Sequence, residues 1–346
     1  MADWLQASMQ EMPQAVDLHQ RNLSRRSNLG LTTKMSIQAM AEEISNQMQD
    51  VPRFASHLRE TRVPEPHPSK FVFAGSGDSY AAALFAQELS RGRAAASDPY
   101  ELMRSIKTTK RKNLVIVSVS GKTRANIDLA RRAKRFARKR VAITSNPDSP
   151  LARQCDEVLP LEYRSAGVTT AGTISFTCSL MACAFLFRQL PKTLNVRAIL
   201  GESAHWAKSQ TLVGTGSFLF IGSGVNYALS NYGAAKVREV LGAKAEAEYP
   251  EQLGHARLFT IDKKRDCIIC ISSGQDKARR LYELLNKGGF RTSLLADPNA
   301  NIVQTSLKVA IYLQQLALAV ARKRGMKTCA FLSDRRKLEL SSKMIY

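Results

Sequence analysis

The chain repeats itself. "FAGSGDSY" at residues 73–80 returns as "FIGSGVNY" at 220–227, 147 positions later. "VIVSVSGK" at 115–122 pairs with "IICISSGQ" at 268–275, and "RVAITSNP" at 140–147 pairs with "RTSLLADP" at 291–298, at spacings of 153 and 151. Three matches in one order at nearly one spacing mark two copies of a single unit. Whatever the unit is, it must fit twice into 346 residues.

Within each copy, short apolar runs alternate with helical patterns. "KFVFAG", "NLVIVSVS", "RVAITS" and "EVLPLE" are continuous, β-branched and short, which predicts buried parallel strands. "SYAAALFAQELSR" and "RANIDLARRAKRFARK" lie between them with helical spacing. The alternation predicts an α/β protein with two tandem doubly wound parallel sheets of flavodoxin-like type, related by internal duplication. Ligands of such sheets sit at the carboxyl ends of strands, where loops enter helices. The expected organisation is a polar extension over 1–35 with partial helix and no chemistry, a first unit over 36–195 and a second over 196–346. "MAEEISNQMQDVPRFASHLRE" reads as a helix leading into the first unit.

Several function classes are set aside by composition. The longest apolar stretch, Thr173–Phe187, is shorter than the ~18–20 residues of a membrane span. The N-terminus lacks a basic end followed by an apolar core, so the expectation is a cytoplasmic protein without membrane association. Six cysteines lie mostly in apolar runs of a chain too large to need staples. Cys267 and Cys270 form a C-x-x-C within "CIICISSG", but residues three apart on a strand point to opposite faces. They are read as buried thiols, and neither metal nor cofactor is predicted. The formal charge of +22 gathers at 107–113 and 131–140. Ile127, Ala130, Ala133, Phe136 and Ala137 give the second cluster an apolar stripe, so its basic residues read as the solvated face of a helix. No zinc-finger spacing, RNA-binding signature or aromatic-interleaved basic patch accompanies the charge. The charge is read chiefly as a solvated basic face, with steering of a phosphorylated substrate as the lesser reading and nucleic-acid binding not expected.

Two loops carry candidate chemistry. "SVSGKT", Ser118–Thr123, follows a strand and opens a helix, so hydroxyls, backbone N–H groups and the helix dipole converge on an anion. It lacks the upstream glycine of a Walker loop, and a phosphomonoester fits it better. Taken alone, the loop is equally an N-capped helix without a ligand. "GSGDSY" is not the dinucleotide fingerprint, because Tyr80 stands where the third glycine belongs.

Together, two α/β units, a "GSG-S" loop, an "S-x-S-G-x-T" loop and a "K-x-x-E" helix resemble the sugar isomerase (SIS) domain family over residues 36–346. The similarity is greatest to the isomerase half of glucosamine-6-phosphate synthases and to stand-alone amino-sugar-phosphate deaminases and isomerases. The family's S-Q-S-G-E-T loop falls on Ser118, Val119, Ser120, Gly121, Lys122 and Thr123, with Val119 replacing a polar residue and Lys122 an acid. Its C-G-T-S loop falls on Ser76, Gly77, Asp78 and Ser79. Its loop before an S-T-K-A-F helix falls on Thr170, Ala171, Gly172 and Thr173, with Gly172 for the serine and Ile174 for the lysine. The resemblance thus implies that Gly77, Asp78, Ser79, Ser118, Ser120, Gly121, Lys122, Thr123, Ala171 and Gly172 bind substrate and phosphate. It implies catalytic roles for Lys236 and Glu239 of "KVRE", for His255 sixteen residues on, and for Lys343 near the C-terminus. Ala256 and Arg257 stand where the family has glycine and proline after the histidine.

Aldose–ketose interconversion moves a proton between C1 and C2 of an open-chain sugar, and a carboxylate of raised pKa suits that task. Ring opening asks for a group that donates and accepts near neutrality, as imidazole does. The expected activity is conversion of glucosamine 6-phosphate to fructose 6-phosphate and ammonia. The alternatives are phosphosugar isomerisation without deamination and a non-catalytic sugar-phosphate sensor. Glutamine-driven amination by this chain is not expected, because its first cysteine is Cys155. A homodimer, with the histidine loop reaching a neighbouring subunit, is the implied assembly.

Overall fold

The computed structural model describes residues 35–61, 70–210, 212, 214–297 and 301–346. Apart from Met35, the N-terminal extension lies outside the described residues. Met35–Tyr346 form one compact unit that holds two parallel sheets. The first contains β1 (Phe71–Ala74), β2 (Ala95–Ser97), β3 (Asn113–Val117), β4 (Lys139–Thr144) and β5 (Glu157–Pro160), in the order β2-β1-β3-β4-β5. The second contains β6 (Ser217–Ile221), β7 (Lys244–Glu248), β8 (Asp266–Ser272) and β9 (Thr292–Ala296), in the order β7-β6-β8-β9. The second order is the first without its last strand. In both sheets chain order reverses beside the first strand, and the crevice there is where open α/β sheets take ligands.

The repeat extends to backbone detail. Gly77 and Gly224 have φ 60° and 57° with ψ −129° and −132°, a conformation that a side chain disfavours. A Cβ at Gly75 would stand 2.5 Å from the Ser79 carbonyl oxygen, and one at Gly222 would stand 2.4 Å from that of Asn226. Each glycine lets its strand turn sharply into a helix.

The main helices are α1 (Ser36–Glu60), α2 (Asp78–Leu89), α3 (Arg124–Ala133), α4 (Ile174–Leu186), α5 (Val196–Ser209), α6 (Val225–Leu241), α7 (Lys277–Lys287), α8 (Ile302–Lys323) and α9 (Arg335–Ile345). One apolar core runs from Phe71, Phe73 and Val115 of the first sheet, through α1, α2, α4, α6 and α8, to Phe218, Phe220 and Ile269 of the second. The outer sheet faces bury smaller clusters, Val72, Leu114 and Ile116 against Leu129 of α3, and Leu219, Ile268 and Cys270 against Leu285 of α7. Cys267 belongs to the central core and Cys270 to an outer one, so the two thiols point to opposite faces of β8. Burial raises both thiols to about 12.

All thirteen residues of α4 are buried, as expected of a helix that is apolar all round. It is the stretch whose length argues against a membrane span, and none of the described helices is long and apolar enough to cross one. Across the helical layer, Gln47 donates to Gln314 Oε1 at 2.7 Å, Thr177 donates to Gln47 Oε1 at 2.6 Å, and Gln314 donates to the Thr173 carbonyl at 3.1 Å. These bonds tie α1, α4 and α8 together.

The helix expected over 124–139 stops at Ala133. Residues beyond it are claimed by the sheet: Arg138 donates its N–H to the Lys112 carbonyl, and Lys139 pairs with Asn113. The basic run is therefore not one solvated face. Arg131, Arg132, Lys134 and Arg135 are exposed, but Arg140 is buried on β4 and grips the Asp156 carboxylate at 2.5 and 3.0 Å. That guanidinium holds Asp156 below the usual carboxylate range.

Candidate functional site

The site begins with where a buried ammonium can go. Lys236 lies on the inner stripe of α6 and is 0% exposed. Burying an isolated ammonium is prohibitive, so it needs anionic partners. It finds two. Its Nζ donates to Asp78 Oδ2 at 2.6 Å and to Glu239 Oε2 one turn along the same helix. Asp78 is the first residue of α2, at the carboxyl end of β1, so the contact joins the two copies of the repeat across the seam where α2 packs on α6. The dipole of α2 favours the acid at its first turn.

Burial pushes Asp78 up to about 7; Lys236 opposes that rise and Glu239 adds to it. Burial pulls Lys236 the other way, but the two carboxylates more than offset it and leave its pKa above the ordinary lysine value. Lys236 is thus a fixed cation. Asp78 Oδ1 is buried and has no hydrogen-bond partner among the described residues. Glu239 is 37% exposed, so one face of the cluster opens outward.

Tyr232, one turn before Lys236, stacks on Phe176 of α4 with ring centroids 3.6 Å apart. Its hydroxyl donates to the Gly172 carbonyl at 2.9 Å. Gly172 borders the cluster so closely that a Cβ there would stand 2.8 Å from Asp78 Oδ2. Two departures from the family pattern are therefore one change: the side chain absent at 172 leaves room for the carboxylate at 78.

Glu43 on α1 holds this loop from beneath, and sequence reading did not single it out. Its carboxylate accepts the Thr173 hydroxyl at 3.1 Å and the Ala166 N–H at 3.3 Å, and burial raises its pKa. The available signal was an acid on the apolar stripe of Met40, Ile44 and Val51, where a solvated glutamate does not belong.

Ser118, Ser120, Gly121, Lys122 and Thr123 form the loop from β3 into α3, beside the β1 loop that carries Gly77, Asp78 and Ser79. Gly121 has φ 63°, and a Cβ there would stand 2.1 Å from Ser149 Oγ, so the tight turn admits only glycine. Thr123 is the N-cap of α3 and makes no side-chain capping bond. Lys122 and Arg124 add positive charge.

The structure thus brings together Asp78, Gly172, Lys236 and Glu239, with the Ser118–Thr123 loop on the neighbouring strand end. Ala171 is buried beside Gly172. His255 is elsewhere. It follows a short helix beyond β7, its side chain is 71% exposed, and its neighbour is Glu251 at 3.6 Å. Lys343 is exposed on α9. Arg124 donates to the Tyr346 main-chain oxygen at 2.7 and 3.1 Å, which brings the end of α9 to the start of α3. No group of three or more His, Cys, Asp or Glu residues is placed to hold a metal among the described residues.

A family model described as SIS domain matches residues 67–188, which contain the β1 and β3 loops. This stretch is a SIS domain. The chain is similar to the glutamine–fructose-6-phosphate aminotransferase (isomerizing) of Zymomonas mobilis, 24% identical over 208 residues. That match takes in 53% of this chain and 34% of the relative, so the chain spans about a third of the length of that relative. Among solved structures it resembles the C-terminal domain of the glucosamine-fructose-6-phosphate aminotransferase of Francisella tularensis. The TM-score is 0.68 at 20% identity, covering 87% of this chain and 98% of that one. The glucosamine-6-phosphate deaminase of Thermotoga maritima gives 0.69 at 19% identity, covering 84% and 96%. The shared fold includes the second sheet as well as the SIS domain of the first.

Proposed function

We propose that the chain is a phosphosugar aldose–ketose isomerase, and specifically one that deaminates glucosamine 6-phosphate. One observation carries the reading. A buried lysine fixes two carboxylates at the seam, one on the inner helix of the second unit and one at the strand end that borders a serine-rich, basic loop. The loop suits a phosphate and the half-open Glu239 suits a mobile proton. The glucosamine-6-phosphate deaminase name of one structural neighbour supports the same reading.

In the proposed reaction, Ser118, Ser120 and Thr123 hold the phosphate with the loop's N–H groups, helped by Lys122. Glu239 takes the proton from C2 of the open-chain aldehyde and returns it to C1. The product of that shift is the imine of fructose 6-phosphate at C2, and water hydrolyses it to the ketone and ammonia. Lys236 keeps Glu239 oriented and offsets charge as the enediol-like intermediate forms. His255, remote and exposed, would open the sugar ring in the site of a second copy of the chain, with Lys343 of the C-terminal helix as a further contributor.

The test offers glucosamine 6-phosphate, fructose 6-phosphate and glucose 6-phosphate separately. Ammonia release from the first establishes deamination. Aldose–ketose exchange without ammonia leaves plain isomerisation, and binding without turnover makes the protein a sensor. For the assembly, mixing inactive Glu239→Gln and His255→Asn chains should restore part of the activity if each site draws on two subunits. No recovery in a proven mixed dimer removes that arrangement.

A further inference from the structure

We propose that Asp78 is a specificity-determining residue that selects phosphosugars bearing an ammonium group over their neutral counterparts. The proposal rests on the phosphosugar reading of the site.

It starts from an unanswered acceptor. Asp78 Oδ2 is taken by Lys236, but Oδ1 is buried and without a donor among the described residues. A buried acceptor left unpaired is costly, so a ligand that brings a donor there gains what the free protein lacks. Charge then says which donor. The three groups joined by hydrogen bonds, Asp78, Lys236 and Glu239, carry a net charge of −1 when all are ionised; Arg238 is exposed on α6 and acts on Asp78 by charge alone, screened by solvent. The groups that face Asp78 are Lys236, Glu239 and, more weakly, Arg238, all on α6, while the Tyr232 hydroxyl is committed to the Gly172 carbonyl. One further positive charge balances the set, and a hydroxyl does not supply it. An ammonium does, with the stronger bond that ionised partners make.

The neighbouring loop agrees. Glycine at 172 is what lets a carboxylate occupy position 78, because any side chain there would meet Asp78 Oδ2. The site therefore has two poles, a cationic loop for phosphate and an anionic corner for an amine. Burial that raises Asp78 to about 7 also leaves it part-protonated near neutrality, so an arriving ammonium displaces that proton.

The probes are two open-chain alcohols that cannot isomerise, 2-amino-2-deoxyglucitol 6-phosphate and glucitol 6-phosphate, with binding followed by calorimetry. The parent should bind the amine at least about tenfold more tightly, a difference of about 1.4 kcal/mol. Asp78→Asn and Asp78→Thr should erase the preference, bringing the two affinities to within about twofold of each other whatever their absolute values. Equal affinities in the parent, or a preference that survives in either variant, overturns the proposal and leaves the phosphosugar site standing. Failure of the parent to bind either probe overturns both. The parent alone supplies a second measurement should the variants not fold. Near pH 7, binding of the amine should release more protons than binding of glucitol 6-phosphate, read as heat that varies with buffer ionisation, because the phosphate's share is common to both. Equal proton release by the two probes also overturns it.

Discussion

The loop after β3 and the loop after β8 are the same structure put to opposite uses. Each follows a buried strand, bends at a glycine of positive φ (Gly121, Gly274) and opens a helix. In the second loop the N-cap is Asp276, whose carboxylate accepts the N–H groups of Arg279 and Ser273 at 3.0 Å and the Ser272 hydroxyl at 2.9 Å. The protein puts its own anion where the loop gathers donors. The first loop has Thr123 at that position, makes no capping bond, and is flanked by Lys122 and Arg124. The inner helices diverge in the other direction. Where α6 carries Lys236 and Glu239, the 147-residue offset places Leu89 and Gly92 in the first copy. On the proposed function, the comparison teaches that one copy leaves its cradle open to an outside anion while the other closes its cradle and carries the proton-moving groups.

The comparison breaks most sharply at Glu239. Glu239→Gln keeps size and reach but loses basicity, so turnover should fall about 10²–10⁴-fold, the range for a positioned general base, with phosphosugar binding nearly unchanged. Undiminished exchange of the C2 proton with heavy water, followed by NMR, leaves the residue as a charge partner of Lys236 without a catalytic role. Next is Lys236→Met, which strands two carboxylates at the seam. It should lower stability by about 3–5 kcal/mol in denaturant melts, the range for breaking a buried pair. The loss should be smaller at pH 5 than at pH 8. Asp78 is raised in the fold, so the folded variant binds a proton that the unfolded chain has released, and stability falls as pH rises through that window. Equal losses at both pH values would separate the fold from the cluster's charge.

Ser120→Ala and Thr123→Val should each weaken phosphosugar binding by about 1.5–3 kcal/mol, as for hydrogen bonds to charged groups. Unchanged affinity in both places the phosphate elsewhere. The smallest effect belongs to the closed cradle. Asp276→Ala should lower stability by about 1 kcal/mol, the usual worth of an N-cap, and leave phosphosugar affinity alone. A loss of affinity comparable to that of Ser120→Ala would mean that both loops serve one ligand.

Much of the fold was legible because strands buried on both faces must read as continuous apolar runs, and because a repeat states its own boundaries twice. The end of α3 was not. The run to Lys139 has helical spacing, and only the β3 partner at Asn113 decides that Lys139 joins a strand. The loops at Ser118–Thr123 and Gly75–Gly77 could be found because glycines and hydroxyls at strand ends have local causes. The bond of Asp78 to Lys236 spans 158 residues, and no local rule reaches so far. Glu43 stands on an apolar stripe, but its partners Thr173 and Ala166 arrive from a distant loop, so the residues around it do not name them.

The all-round burial of α4 has a consequence for how the protein is made. Its neighbours α1 and α2 precede it in the chain, but α8, which packs against it and whose Gln314 bonds Thr173 and Thr177, begins at Ile302, 116 residues after Leu186. At about 5–20 residues per second of synthesis, one flank of a thirteen-residue apolar helix waits on the order of ten seconds for its cover. During that interval the nascent chain leaves one apolar stripe of α4 uncovered, the kind of exposed surface on which folding intermediates aggregate.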